Sequence, residues 1–257
     1  MRAVSERRWK TAQRHEETFQ QKKAERIRGH EVHLLAERAA HAHAVRERLA
    51  PWIRLEPTTK ILEVGCGPHG IGFFLGEGEV VAVDPLADLY DRTFAWARDG
   101  ANVRTLRARG EELPFPDGTF DLVISDNVLD HTRDPRAVVA EIARVLKTGG
   151  VFYVTLNVHR LPFHLVTRAH ERLIAPLRTL DLLGPHPYAF RRRDAMQLVE
   201  AAGFRVAWEH EAPFGEHDDD HDHGAGRIRA LARRAFERAF PVGYWQAVCV
   251  RSTSPVR

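Results

Sequence analysis

Ile61-Leu62-Glu63-Val64-Gly65-Cys66-Gly67-Pro68-His69-Gly70 reads as a buried β-strand with an acidic residue near its carboxyl end, then a glycine-rich turn running into a helix. The glycines fall at G-x-G-x-x-G spacing. That spacing lets the backbone turn sharply and lets a ligand approach where a Cβ would clash. The next apolar run, Val80-Val81-Ala82-Val83, ends in Asp84. An acid about 20 residues beyond the first glycine stands where a nucleotide ribose presents its hydroxyls. The turn and the distal acid together place a nucleoside-bearing cofactor at the top of a parallel sheet. They do not name it, because nicotinamide enzymes use the same spacing.

Two further features bear on the choice. Glu63 precedes the first glycine by two residues, where a carboxylate can help hold a ligand ammonium group directly or through the turn. Downstream lies Gly110-Glu111-Glu112-Leu113-Pro114-Phe115-Pro116-Asp117-Gly118-Thr119-Phe120-Asp121-Leu122-Val123-Ile124-Ser125. On these residues the chain resembles the class I S-adenosylmethionine-dependent methyltransferases, in the branch carrying E-x-G-C-G and L-P-F-x-D-x-x-F-D-x-V. The resemblance is close from Lys60 to Thr155 and looser from Tyr188 to Val206. It implies a Rossmann-like α/β fold: a doubly wound, mostly parallel seven-stranded sheet with an antiparallel last strand, plus N-terminal helices and helical insertions. A nicotinamide oxidoreductase accounts for the glycines and Asp84, but not for Glu63 followed by the Leu-Pro-Phe stretch.

The resemblance also implies a set of site residues. Gly65, Cys66, Gly67 and Gly70 bring backbone close to the methionyl part of S-adenosylmethionine, and the helix start after them favours negative charge. Asp84 accepts from the ribose hydroxyls with Pro85 beside it; its plainer role is to cap the helix that follows. Family members commonly carry an Asp two residues before E-x-L-P-F, and this chain has Arg109 there. The backbone of Gly110 or Glu111 therefore meets the adenine edge, with the Glu111 carboxylate as an acceptor for the exocyclic amine. The departure at Arg109 leaves open a non-catalytic, cofactor-binding regulatory or assembly protein on the same fold.

Ser125-Asp126-Asn127-Val128-Leu129-Asp130-His131 follows the fourth strand, whose carboxyl end is where ligands bind in this architecture. Ser125 and Asp126 lie near the methionyl group and Asn127 near the transferred methyl. His131 is the general-base candidate for a hydroxyl acceptor, against a structural role on the cofactor shelf. Some related O-methyltransferases bind a divalent cation through E-x-x-E-H here. Asn127, Asp130 and His131 stand at those positions, and the lost carboxylate argues against a hard, oxygen-preferring ion, so no metal is assigned.

The chain of 257 residues suits one elaborated α/β domain. Residues 1–57 are Arg-, Glu- and Ala-rich, with Trp9, Ala12 and Phe19, then Ala42, Val45, Leu49, Trp52 and Ile53, at helical spacing. They read as two helices broken near Gly29 that form a lid or accessory segment over a methyltransferase domain spanning 58–257. From Lys60 short apolar runs alternate with helical segments, as in a parallel sheet. Strands are predicted at Ile61–Val64, Val80–Val83, Val103–Leu106, Phe120–Ser125 and Val151–Leu156. Helices are predicted at Gly70–Leu75, Leu86–Ala97, Pro135–Leu146 and Arg191–Ala202, with Lys147-Thr148-Gly149-Gly150 offering a left-handed C-cap. A helical insertion near 160–184 and an acidic His/Asp loop near 215–224 flank strands at Gly203–Val206 and Tyr244–Val250. His159, Arg160 and His164 open the insertion as acceptor-pocket candidates.

The net charge is only +3 with acids and bases interspersed, which disfavours a nucleic-acid partner. Cys66 and Cys249 imply no disulfide framework and fit the cytoplasm. No apolar run approaches the ~20 residues of a membrane span. The expected reaction is methyl transfer to a small-molecule, glycan or lipid-like acceptor, at oxygen.

Overall fold

The computed structural model describes residues 3–97, 103–159, 187–213 and 242–252. The predicted insertion, with Arg160 and His164, and the acidic loop lie outside the described residues. The apolar runs become β1 (Lys60–Val64), β2 (Glu79–Asp84), β3 (Val103–Arg107), β4 (Phe120–Asp126), β5 (Leu146–His159), β6 (Phe204–Pro213) and β7 (Val242–Arg251). They form one seven-stranded sheet in the order β3-β2-β1-β4-β5-β7-β6. The pairings among β1 to β5 are parallel, and β7 runs antiparallel to both β5 and β6. The strand order turns back between β1 and β4, and open α/β sheets bind ligands at the carboxyl ends beside such a point.

Side chains alternate across the strands, so each face acquires its own cover. Leu62, Val64, Val83 and Val123 pack with Val138, Val139, Ile142 and Val145 of helix α4 (Pro135–Val145) and with Ala195, Leu198 and Val199 of α5 (Arg192–Ala201). Ile61, Val80, Leu122 and Ile124 pack with Ala42, Val45 and Leu49 of α2 (Glu31–Leu49). These three α2 residues are fully buried, and Val and Leu side chains contribute about 1.5–3 kcal/mol each on burial. The second N-terminal helix is therefore part of the sheet's core. It is preceded by α1 (Glu6–Ile27), capped by the Ser5 side chain, and the left-handed Gly29 turns the chain between them.

Three predicted elements differ from the observed ones. Gly70–Leu75 is not an α-helix but a 3-10 turn over Ile71–Phe74, because a side chain from β1 takes its first amides. Leu86–Ala97 breaks into α3 (Ala87–Thr93) and a 3-10 turn at Ala95–Ala97, with Phe94 out of helical geometry at φ −127°. Helix α4 stops at Val145; Leu146 is extended, and the left-handed Gly149 lies within a β5 longer than Val151–Leu156.

The Leu-Pro-Phe stretch is held by α4. Arg144 donates to the carbonyls of Leu113 and Phe115 and to the Asp117 and Glu141 carboxylates, while Glu141 accepts from Leu113 N. Phe115 meets Phe120 edge to face at 5.0 Å. Much of this motif therefore serves as a strap between the β3–β4 connection and α4.

Candidate active site

Glu63, Asp84 and Asp126 stand at or beside the carboxyl ends of β1, β2 and β4. Strand alternation puts all three on the α2 side of the sheet. They play different parts. Glu63 is 1% exposed and accepts from Ile71 N at 2.8 Å and Gly72 N at 3.0 Å. Burial pushes its carboxyl up to about 8 despite these two bonds, and the charges of Asp126 and Asp84 push the same way. The amides expected to face a ligand anion thus point at Glu63. A Cβ on Gly70 or Gly72 would collide with its carboxylate.

The turn itself hangs on β2, with Gly65 N and Cys66 N both donating to Val83 O at 2.7 and 3.2 Å. Cys66 is buried against Phe73 and Ala82. Gly65 is left-handed at φ +75°, and a Cβ there would overlap Val128. Gly67, at φ +54°, is different: among the described residues, its chain neighbours aside, no atom lies within 4 Å of where its Cβ would stand. Its N–H donates to Asp84 Oδ2 at 3.1 Å, and Asp84 Oδ1 accepts from Leu86 N at 2.8 Å across Pro85. Asp84 therefore steadies the turn and the α3 approach together.

At the stretch expected to meet adenine, a Cβ on Gly110 would sit 3.0 Å from both Val64 and Val138, so the chain passes close to the sheet. Glu111 Oε1 accepts from Arg133 N at 2.7 Å and Asp134 N at 3.1 Å, which commits that oxygen to the entry of α4. Arg109 lies 3.8 Å over the Trp9 ring and 3.3 Å from Glu6, whose other oxygen is 3.5 Å from Arg133. The residue that departs from the family pattern here anchors α1.

Near the end of β4, Ser125 is fully buried and follows the parity of Val123, so its side chain faces away from that of Asp126. Asn127 takes a left-handed φ of 55°, which Asn tolerates better than most residues. Its N–H donates to Thr155 O and Oγ1 at 3.2 and 2.9 Å, and its Oδ1 accepts from Asn157 N at 3.3 Å. His131 ends the 3-10 turn Leu129–His131, with Nδ1 3.9 Å from Glu16 of α1 and Nε2 3.9 Å from Asp130. Among the described residues no group of three or more His, Cys, Asp or Glu side chains could hold a metal ion.

Asp126 carries a cluster the sequence did not announce. Its Oδ1 accepts from Thr155 Oγ1 at 2.5 Å and Tyr244 OH at 2.8 Å, and its Oδ2 lies 3.6 Å from His41 Nε2 of α2. Burial pushes its carboxyl up, but His41, Thr155 and Tyr244 outweigh this and hold it at about 2. Tyr244 is pushed well above the ordinary phenol range, by burial first and then by Asp126. No spacing rule joins positions 41, 126, 155 and 244; the sheet order does.

The described residues here are compatible with S-adenosylmethionine: none crowds the Gly67 Cβ position, the Gly65–Gly67 turn offers backbone, and acidic groups stand beside it. A family described as a methyltransferase domain matches residues 62–154. A Mycolicibacterium smegmatis protein named as an S-adenosylmethionine-dependent methyltransferase is 30% identical over 223 residues, 81% of this chain and 71% of its own. A methyltransferase of Schizosaccharomyces pombe is 34% identical over 152 residues, 53% of this chain, which spans only about half (54%) of that relative. The structure of a geranyl diphosphate methyltransferase in complex with S-adenosylmethionine shares the fold, with a TM-score of 0.59 at 17% identity over 83% of this chain and 85% of that one. With that cradle and these relatives, the chain belongs to the class I S-adenosylmethionine-dependent methyltransferases.

Proposed function

We propose that this methyltransferase acts on a small-molecule, glycan or lipid-like acceptor, at oxygen, with His131 as general base. S-adenosylmethionine, when bound, supplies an electrophilic methyl group, so the protein's task is to align the acceptor and, for a hydroxyl, to remove its proton. The Gly65–Gly67 turn, Asp84 and the backbone at Gly110 would hold the cofactor, and Asn127 would border the reacting end. The observation that carries the base reading is the placement of His131 between two carboxylates, Glu16 and Asp130, one at each ring nitrogen.

A small acceptor is supported by the interspersed surface charge and by the small substrate that the geranyl diphosphate enzyme's name gives it. Among the described residues no helix is long and apolar enough to cross a membrane. The buried free thiols Cys66 and Cys249 suit a cytoplasmic setting. The test is turnover to S-adenosylhomocysteine across panels of hydroxyl-bearing small molecules, glycans and lipids, with the product's new methyl located by mass spectrometry. His131→Ala should cut turnover about 100-fold or more with near-normal cofactor affinity. Transfer only to nitrogen or carbon, or full turnover in the variant, would end this reading.

A further inference from the structure

We propose that Asp126 is a fixed negative charge that reads the sulfonium of the cofactor, and that His41 is a positioning residue that holds it from α2. Of the carboxylates at the strand ends, Glu63 is sealed beneath the turn and Asp84 is bonded to two turn amides. Asp126 lies beside the point where the strand order turns back, keeps 19% side-chain exposure and takes no bond from the glycine turn. It is gripped from three other elements, by His41 of α2, Thr155 of β5 and Tyr244 of β7.

The chemistry of that grip is selective. Thr155 and Tyr244 are hydroxyl donors, which orient a carboxylate without cancelling its charge. Arg48, further along α2, is engaged elsewhere: its Nη1 donates to Gln246 Oε1 at 2.8 Å, shared with Tyr153 OH, and its guanidinium lies over Trp208. A held charge in a half-buried site acts more strongly than one in water. S-adenosylmethionine carries a positive sulfur and its product does not, so a carboxylate at the reacting end favours substrate over product and aids product release. His41 lies on the helix that covers this face, so α2 sets the aim of the charge. The inference rests on the cofactor assignment and is independent of the acceptor.

The test is calorimetric titration of the full chain with S-adenosylmethionine and, separately, S-adenosylhomocysteine, for the wild type, Asp126→Asn, His41→Gln and the double variant. Asp126→Asn should weaken the sulfonium ligand about tenfold or more while the thioether product shifts less than about threefold. His41→Gln should move the ratio of the two affinities the same way by a smaller factor, and add nothing in the Asp126→Asn background. Tyr244→Phe removes one donor at nearly constant volume and reports the same ratio should Asp126→Asn fail to fold. Parallel loss of both ligands, an unchanged ratio, or independent effects of His41 and Asp126 would overturn the proposal. Because no acceptor is added, none of these outcomes bears on oxygen methylation.

Discussion

Gly65 and Gly67 are both left-handed, at φ +75° and +54°, yet they are glycine for different reasons. Gly65 is crowded by Val128, whereas no described residue beyond its chain neighbours crowds Gly67. Gly67→Ala should therefore cost only about 1 kcal/mol of stability from backbone strain while abolishing detectable cofactor binding. Gly65→Ala should lower stability more, since Val128 must move. Urea unfolding and calorimetry on both variants check the pair; normal titration by Gly67→Ala would mean the turn is only structural. Asp84 joins two roles in the same way. Asp84→Ala should weaken cofactor binding at least about tenfold through the ribose contact. It should also destabilise the fold by about 1–3 kcal/mol, because the amides of Gly67 and Leu86 lose their acceptor. Unchanged affinity with reduced stability would leave Asp84 as a cap alone.

Among elements, α1 and α2 look alike in the sequence and differ in the structure. The apolar stripe of α2 enters the sheet's core. Helix α1 is tied down mainly at its ends and along one side, by Val4 N to Tyr188 OH, Glu6 to Arg109 and Arg133, and Glu16 to His131. Its Trp9, 7% exposed beneath the Arg109 guanidinium, is the largest apolar anchor in that half. Partly exposed ion pairs hold a helix weakly, whereas deleting a buried Trp costs about 3–5 kcal/mol. Trp9→Ala should thus raise amide exchange across 6–20 while α2 and the central strands stay protected. Uniform loss of protection would show that α1 folds as one unit with the sheet.

At the scale of the whole molecule, two carboxyls shape the pH response in opposite directions. Glu63 has its folded value raised to about 8 from 4.5, so its contribution is full below 4.5 and is lost as pH rises toward 8. Asp126 is lowered to about 2 from 3.8, so its contribution is present above 3.8 and is lost as pH falls toward 2. Wild-type stability should fall between pH 5 and 8 by an amount on the order of 4 kcal/mol from Glu63 alone. Glu63→Gln should flatten that slope. Urea unfolding at the two pH values decides it, and parallel slopes in the two proteins would remove the assignment. Cofactor binding should add about 2.7 kcal/mol at a hundredfold excess over Kd, visible as a raised Tm.

How far the chain could be read from its residues follows from the range of the forces involved. Apolar runs alternating with helical stripes, and glycines at positions that demand positive φ, are local. They sufficed for the parallel sheet and the two late strands. The broken helices at Ile71–Phe74 and Ala87–Thr93 escaped because a distant carboxylate and an aromatic cluster overrode local propensity. Ser125 was assigned by position alone, and strand parity turned its side chain away. Arg109, an unexplained departure in the sequence, found its use only against Trp9 and Glu6, some hundred positions upstream. The grip on Asp126 was illegible for the same reason: His41, Thr155 and Tyr244 meet only because β5 and β7 pair beside β4 and α2 lies across them. Local pattern pointed to a parallel sheet and a nucleoside ligand, and the motif resemblance named the fold and the cofactor; long-range packing decided which side chains surround Asp126, since hydrogen bonds between distant residues leave no period in the sequence.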